Sequence, residues 1–202
     1  MLKGIDVSEN NGRVNWQLVK NKGIEFAIIR LGYGSGHLDS EFYRNVNGAL
    51  AAGLKIGIYY YSYALNTYGA RKEAEFVLQT LKDSGLRPER LECGLWYDME
   101  DADGFKARHG MPSNSEITAV CSRFISDLNA AGYSCGIYAS LDWLQNKIET
   151  HRLAKYVPYW GAQWGGSCDW PRAKIWQYTD ALPIGGKVFD GDYLFKQGGT
   201  HE

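Results

Sequence analysis

Three carboxylates fall within the four residues Asp98-Met99-Glu100-Asp101, and an apolar, aromatic run, Leu91-Glu92-Cys93-Gly94-Leu95-Trp96-Tyr97, leads into them. The run predicts a buried strand, on which alternate side chains share a face. Trp96, Asp98 and Glu100 should therefore point one way, Tyr97 and Met99 the other. Two carboxylates two residues apart on a strand have Cα atoms roughly 6.5 Å apart. A like charge that near raises the pKa of at least one of them. An acid that keeps its proton beside an ionised partner is the equipment for cleaving a glycosidic bond. A solvated acidic turn is the plainer reading of an isolated Asp-x-Glu. Here the apolar lead-in, repeated along the chain, favours a site.

The elements that must position these acids follow a rhythm. Strands are predicted at 3–7, 26–31, 55–62, the run into Asp98, and 134–140. Amphipathic helices are predicted at 39–52 (Phe42, Val46, Ala49, Leu50), 67–84 (Ala70, Ala74, Val77, Leu78, Leu81) and from a Ser113 or Ser115 cap to 131. Gly53, Gly85 and Gly132 stop them. Short helices are expected near 16–20 and 141–147. Residues 102–112 read as a long loop, and Gly32-Tyr33-Gly34-Ser35-Gly36 as a flexible rim loop. After residue 147 the rhythm changes: strands near 157–164, 174–179 and 188–194 are separated by loops alone.

Strands alternating with helices predict a parallel sheet, and eight strands predict a barrel. The expected fold class is α/β: a single irregular TIM-like barrel of five βα units followed by three strands lacking full crossover helices. A complete barrel of this kind takes about 250 residues, so 202 residues require this economy. Chemistry in such barrels lies at the C-terminal strand ends. That places Asp6, Arg30, Tyr61, Asp98, Glu100, Ser140, Gln163, Gln177 and Asp190 together.

Composition excludes several classes. Lys+Arg 22 against Asp+Glu 23 gives a net charge of -1, which suits neither nucleic acid nor an anionic membrane surface. No apolar run is long enough for a membrane span. His37, His109, His151 and His201 lack metal-ligand spacing, so no metal and no cofactor are expected. Cys93 and Cys135 sit in strand patterns and are expected as buried thiols, against a cysteine nucleophile. No leader precedes the first strand-like residues, which predicts either a phage-type release or an excised domain.

The ordered set Gly4-Ile5-Asp6-Val7-Ser8, Gly57-Ile58-Tyr59-Tyr60-Tyr61, Asp98-Met99-Glu100, Trp176-Gln177-Tyr178-Thr179 and Phe189-Asp190-Gly191-Asp192 resembles glycoside hydrolase family 25, the Chalaropsis-type lysozymes. The resemblance spans nearly the whole chain and implies the same five-plus-three barrel. It implies Glu100 as general acid, Asp98 as the second carboxylate, and Asp6 and Asp190 completing the floor. Tyr59, Tyr61, Tyr138, Trp160 and Trp176 would line a sugar groove, with Gln177 and Asp192 as further substrate-binding side chains. By residue type alone, Trp160 and Trp176 read equally as groove or core. Asp190 is preferred to Asp192 for the floor because it follows Val188-Phe189. Tyr60 stands where many relatives carry His and is expected to alter a sugar contact. The implied substrate is the β-1,4 link from N-acetylmuramic acid to N-acetylglucosamine in peptidoglycan at the bacterial cell wall. Asp98 would either attack directly or orient the 2-acetamido group. The alternatives are a non-catalytic glycan-binding barrel and a chitin-type glycosidase. A monomer is expected, with residues 1–195 as the catalytic barrel and 196–202 as a polar tail or linker start.

Overall fold

A computed structural model describes residues 1–195; the expected tail, 196–202, lies outside them. Nine strands form one sheet: β1 (Leu2–Val7), β2 (Phe26–Tyr33), β3 (His37–Leu38), β4 (Lys55–Tyr61), β5 (Leu95–Asp98), β6 (Cys135–Ser140), β7 (Tyr159–Ala162), β8 (Ala173–Ile184) and β9 (Lys187–Leu194). Neighbours run β1-β9-β8-β7-β6-β5-β4-β2-β3, and β1 also pairs with β2. Eight strands thus close on themselves, and β3 is a short appendage on β2. The α/β barrel predicted from the sequence is the observed fold.

Helices α1 (Trp16–Asn21), α2 (Phe42–Ala51), α3 (Thr67–Asp83), α5 (Asn114–Ala130) and α6 (Leu141–Asn146) make the crossovers of the first five units. α4 (Phe105–Arg108) is an extra turn inside the predicted loop after β5. Ser113 is the α5 cap: its Oγ accepts from Glu116 N, and Glu116 Oε2 accepts from Ser113 N in return. β7 reaches β8 without a helix, and β8 turns straight into β9. The missing helices account for the short chain.

Strand alternation sorts the side chains into two cores. Outward residues such as Ile5, Ile29, Ile58, Tyr97 and Ile137 pack under the helices. Inside the barrel, Phe26, Ile28, Cys93, Trp96, Trp160 and Ile175 form a smaller apolar plug. The plug fills the lower barrel, leaving the polar inward residues of the next layer at the mouth.

Two local readings differ from expectation. Gly32 and Tyr33 end β2, pairing with Leu38 and His37, and residues 34–36 are the tight turn of the β2–β3 hairpin. The Tyr60 hydroxyl fastens this turn, donating to Gly34 O (2.6 Å) and accepting from Gly36 N (3.2 Å). Tyr60 is therefore an outward, buried residue stacked on Phe124. It makes no contact with the pit, because on β4 only Tyr59 and Tyr61 alternate inward. The run Leu91–Gly94 is also not strand: β5 is four residues, preceded by the 3-10 turn Pro88–Arg90.

A Cβ on Gly32 would lie 2.1 Å from the His37 carbonyl oxygen. Gly32→Ala is expected to destabilise the fold by about 1–3 kcal/mol, since backbone must move to relieve the overlap. Calorimetry would read this as a lower Tm; an unchanged Tm would show that the hairpin is not held as described.

Candidate active site

At the C-terminal mouth of the parallel strands, a pit of about 240 Å³ is lined by Asp6, Ser8, Asn10, Asn11, Arg30, Tyr59, Tyr61, Asp98, Glu100, Tyr138, Trp160, Gln177 and Asp190. Register explains the assembly. Tyr61 lies beside Asp98, Asp98 beside Tyr138, and Tyr138 beside Trp160 on successive strands. β9 runs antiparallel to β1, so Asp190 pairs with Asp6 and Asp192 pairs with Gly4 one layer deeper. The reversed direction is why Asp190, the earlier of the two residues, is the one at the mouth.

Asp98 is buried and Glu100 is partly buried at the pit wall. No protein N–H or hydroxyl reaches Asp98 Oδ1. The Asp98 carboxyl instead shares a hydrogen bond with that of Glu100. Burial, then the Glu100 charge, holds Asp98 well above the usual carboxylate range. Burial also raises Glu100, against the pull of Asp98 and Lys106. Two carboxyls in hydrogen-bond contact retain one proton between them as the pH rises, and burial favours Asp98 as its resting place.

A second acid group forms the floor. Gln177 Nε2 donates to Asp6 Oδ2 (2.8 Å), while Gln177 Oε1 accepts from the Tyr138 hydroxyl (3.1 Å) and from Trp164 Nε1 (3.2 Å). Asp6 is raised by burial, then by Asp192 and Asp190. Asp192 is fully buried, accepts from Trp160 Nε1 (2.8 Å) and shares a hydrogen bond with the Asp6 carboxyl.

Of the residues singled out from sequence, Asp6, Asp98, Glu100, Asp190, Tyr59, Tyr61, Tyr138, Trp160 and Gln177 meet at the pit. Trp160 serves as both groove and core, with 1% of its surface exposed. Three do not reach the cavity: Trp176, Asp192 and Gln163, whose Nε2 donates to Asp169 Oδ2 (2.7 Å); Ser140 lines only a side arm. Trp176 faces out of the barrel because its neighbours Ile175 and Gln177 face in; its Nε1 donates to Gln163 O (2.7 Å). Asp192 lies beneath the floor and touches the site through Asp6 and Trp160.

The pit opens into a groove on each side. One arm, about 470 Å³, is lined by Glu9, Asn10, Arg30, Tyr33, Tyr61, Tyr63, Ala102 and Asp103. The other, about 290 Å³, is lined by Glu100, Tyr138, Ser140, Ala162 and Trp164. Tyr33, Tyr63, Asp103 and Trp164 were not singled out from the sequence as site residues. Trp164 had a usable signal, sharing the Trp160/Ala162 alternation; Tyr63 and Asp103 lie in loops where periodicity says nothing.

The family model for glycosyl hydrolases family 25 matches residues 5–187. The chain belongs to this family. By family it is a glycoside hydrolase, and its closed barrel is the fold that the family resemblance implied. It is 29% identical over 187 residues to an autolytic lysozyme of Clostridium acetobutylicum, covering 92% of this chain and 52% of that protein. It is 26% identical over 202 residues to lysozyme M1 of Streptomyces globisporus, covering 95% and 66%. The modular autolysin LytC of Streptococcus pneumoniae, solved with a synthetic peptidoglycan ligand, superposes with a TM-score of 0.83 at 27% identity, covering 95% of this chain and 46% of LytC. The chain thus spans about half to two thirds of the curated relatives it first matches.

Burial pushes the Asp192 carboxyl up to about 8, far above an unfolded Asp near 3.9. The unfolded chain therefore loses this proton first, and Asp192 makes stability fall as pH rises from about 4 through about 8. Asn at 192 keeps an acceptor for Trp160 and removes the charge. Asp192→Asn is expected to exceed the wild type in stability by about 2 kcal/mol at pH 9 and to lose that advantage near pH 4. Urea unfolding at both pH values checks this; an advantage independent of pH would contradict it.

Proposed function

We propose that the chain is the catalytic barrel of a peptidoglycan hydrolase. It cleaves the β-1,4 bond from N-acetylmuramic acid to N-acetylglucosamine, as a monomer, at the bacterial cell wall. The observation that carries the reading is the hydrogen-bonded pair Asp98–Glu100 at the bottom of an open groove with aromatic walls. The groove runs past the pit on both sides, which suits an internal bond of a polymer. Its tyrosines and Trp164 offer ring faces to the C–H side of pyranoses and O–H or N–H groups to hydroxyls. The lysozyme names of the relatives and the peptidoglycan complex of LytC support the substrate class.

Glu100 is the general acid. The sugar enters with its 2-acetamido N–H donating to Asp98, which favours ionised Asp98 and leaves the shared proton on Glu100. Glu100 then protonates the leaving oxygen. The acetamido carbonyl oxygen attacks C1 as the glycosidic bond breaks, giving an oxazolinium. Water, deprotonated by Glu100, opens it with retention. Direct attack by Asp98 is disfavoured because it stands beside the acid, two residues from it in the chain, and not across the sugar from it. Asp6 and Asp190 complete the acidic floor below the sugar.

Purified peptidoglycan digested by the wild type and by Glu100→Gln, then reduced with borohydride, tests the reading. Muramitol ends from the wild type are expected, with the variant slower by about 10²–10⁴-fold. Glucosaminitol ends would move the cleaved bond. Binding without any new reducing end would make the chain a glycan-binding barrel, and faster cleavage of chitin oligomers would make it a chitin-type glycosidase.

A further inference from the structure

Lys106 is a charged side chain with 1% of its surface exposed, in the α4 turn. Asp101, the third carboxylate of the acidic motif, seats that turn. Its Oδ1 accepts from Lys106 N (2.6 Å) and its Oδ2 from Ala107 N (2.9 Å). Phe105 clamps it from outside, stacked on Tyr63 and on His109 with ring centroids 4.2 Å apart in each case. The Lys106 side chain therefore runs inward. Its Nζ donates to Ser62 O (2.5 Å) at the end of β4 and to Glu100 O (2.7 Å). An ammonium has three donors; two are spent on backbone carbonyls, one of them belonging to the acid itself.

The charges around Lys106 come from every element packed on it. Asp98, Glu100 and Asp101 lie on and beyond β5, Glu73 on α3 and Cys121 on α5. The Tyr61 ring of β4 has its centroid 5.8 Å from Nζ. The carboxyl pair is also faced by Arg30 of β2, Asp190 of β9 and Asp103. Arg30 is committed elsewhere, to Asp39 (2.8 Å) and Glu9 (3.0 Å). Glu73, pushed up to about 7 by burial, is held by the Tyr97 hydroxyl (2.5 Å) and Tyr63 N (2.8 Å). Lys106 is thus a buried cation beside the pair that forms no ion pair of its own among the described residues. Burial works against its charge, while Asp98, Glu73 and Asp101 favour it.

We infer that Lys106 is a positioning residue for the acid pair: it pins the Glu100 backbone, and its buried charge keeps one of the two carboxyls ionised, so the pair enters catalysis with one proton and not two. The inference rests on the assignment of Asp98 and Glu100 as the reacting pair. Lys106 draws both carboxyls downward in pKa, against the burial that raises them. Without the charge, a doubly protonated pair would persist to higher pH, and the last proton would also leave later.

The test is the pH profile of reducing-end release from purified peptidoglycan for wild type, Lys106→Met, Lys106→Arg and Glu100→Gln. Lys106→Met should lower the peak rate and move both limbs of the profile up by about one pH unit, the lower end for loss of a nearby opposite charge. Lys106→Arg should restore the wild-type limbs even if the rate stays reduced. A lower rate with unmoved limbs would overturn the electrostatic role and leave a structural pin only. Should Lys106→Met fail to fold, Lys106→Gln, which keeps a donor for the carbonyls without the charge, is read in the same way. Wild-type activity in Glu100→Gln would overturn the pair assignment and this inference with it. An inactive Glu100→Gln beside unmoved limbs in Lys106→Met would overturn this inference alone.

Discussion

Like charges crowded into a dry space cannot all be ionised, and this constraint shapes the mouth of the barrel. Asp6, Asp98, Glu100, Asp190 and Asp192 converge there, above a plug that includes Trp96, Trp160 and Ile175. Burial alone would protonate them all. The structure resolves the conflict by sharing hydrogen bonds: Asp98 with Glu100, and Asp6 with both Asp192 and Asp190. Gln177 donates to Asp6 and Trp160 to Asp192. The result is a set of carboxyls that hold protons at pH values where exposed ones would not, which is what general acid chemistry on a sugar requires.

Closure of the barrel is what brings the acids together. β1 and β5 alone would place Asp6 and Asp98 on opposite walls of an open sheet. β9, inserted antiparallel between β8 and β1, closes the wall and brings in two further acids. Because that strand is a hairpin partner of β8, it needs no crossover helix. The economy in chain length and the acidity of the floor have the same origin.

Much of this was legible in the sequence because period-2 alternation is strict inside a closed barrel. The same alternation that makes Trp96 a plug residue puts Asp98 at the pit, and it equally predicts that Trp176, flanked by inward Ile175 and Gln177, faces out. What alternation does not reveal is strand direction, so the depth order of Asp190 and Asp192 needed the structure. Loops were the other blind region. Asp101, the third carboxylate of the acidic motif, is spent on the Lys106 and Ala107 N–H groups of α4. Tyr63, Asp103 and Lys106 reach the site from segments with no periodic signal. Tyr60 was misplaced because a motif match carries position but not the face of the strand.

The shared proton is the centre of the account, and it can be observed without substrate. Carbon-13 labelling of the Asp and Glu side-chain carboxyls, with Asp98→Asn and Glu100→Gln used for assignment, allows titration of the pair in the wild-type protein. The account predicts a coupled titration in two separated steps, with one proton held between Asp98 and Glu100 well above the usual carboxylate range. Two independent, ordinary carboxylate titrations near pH 4 would contradict it.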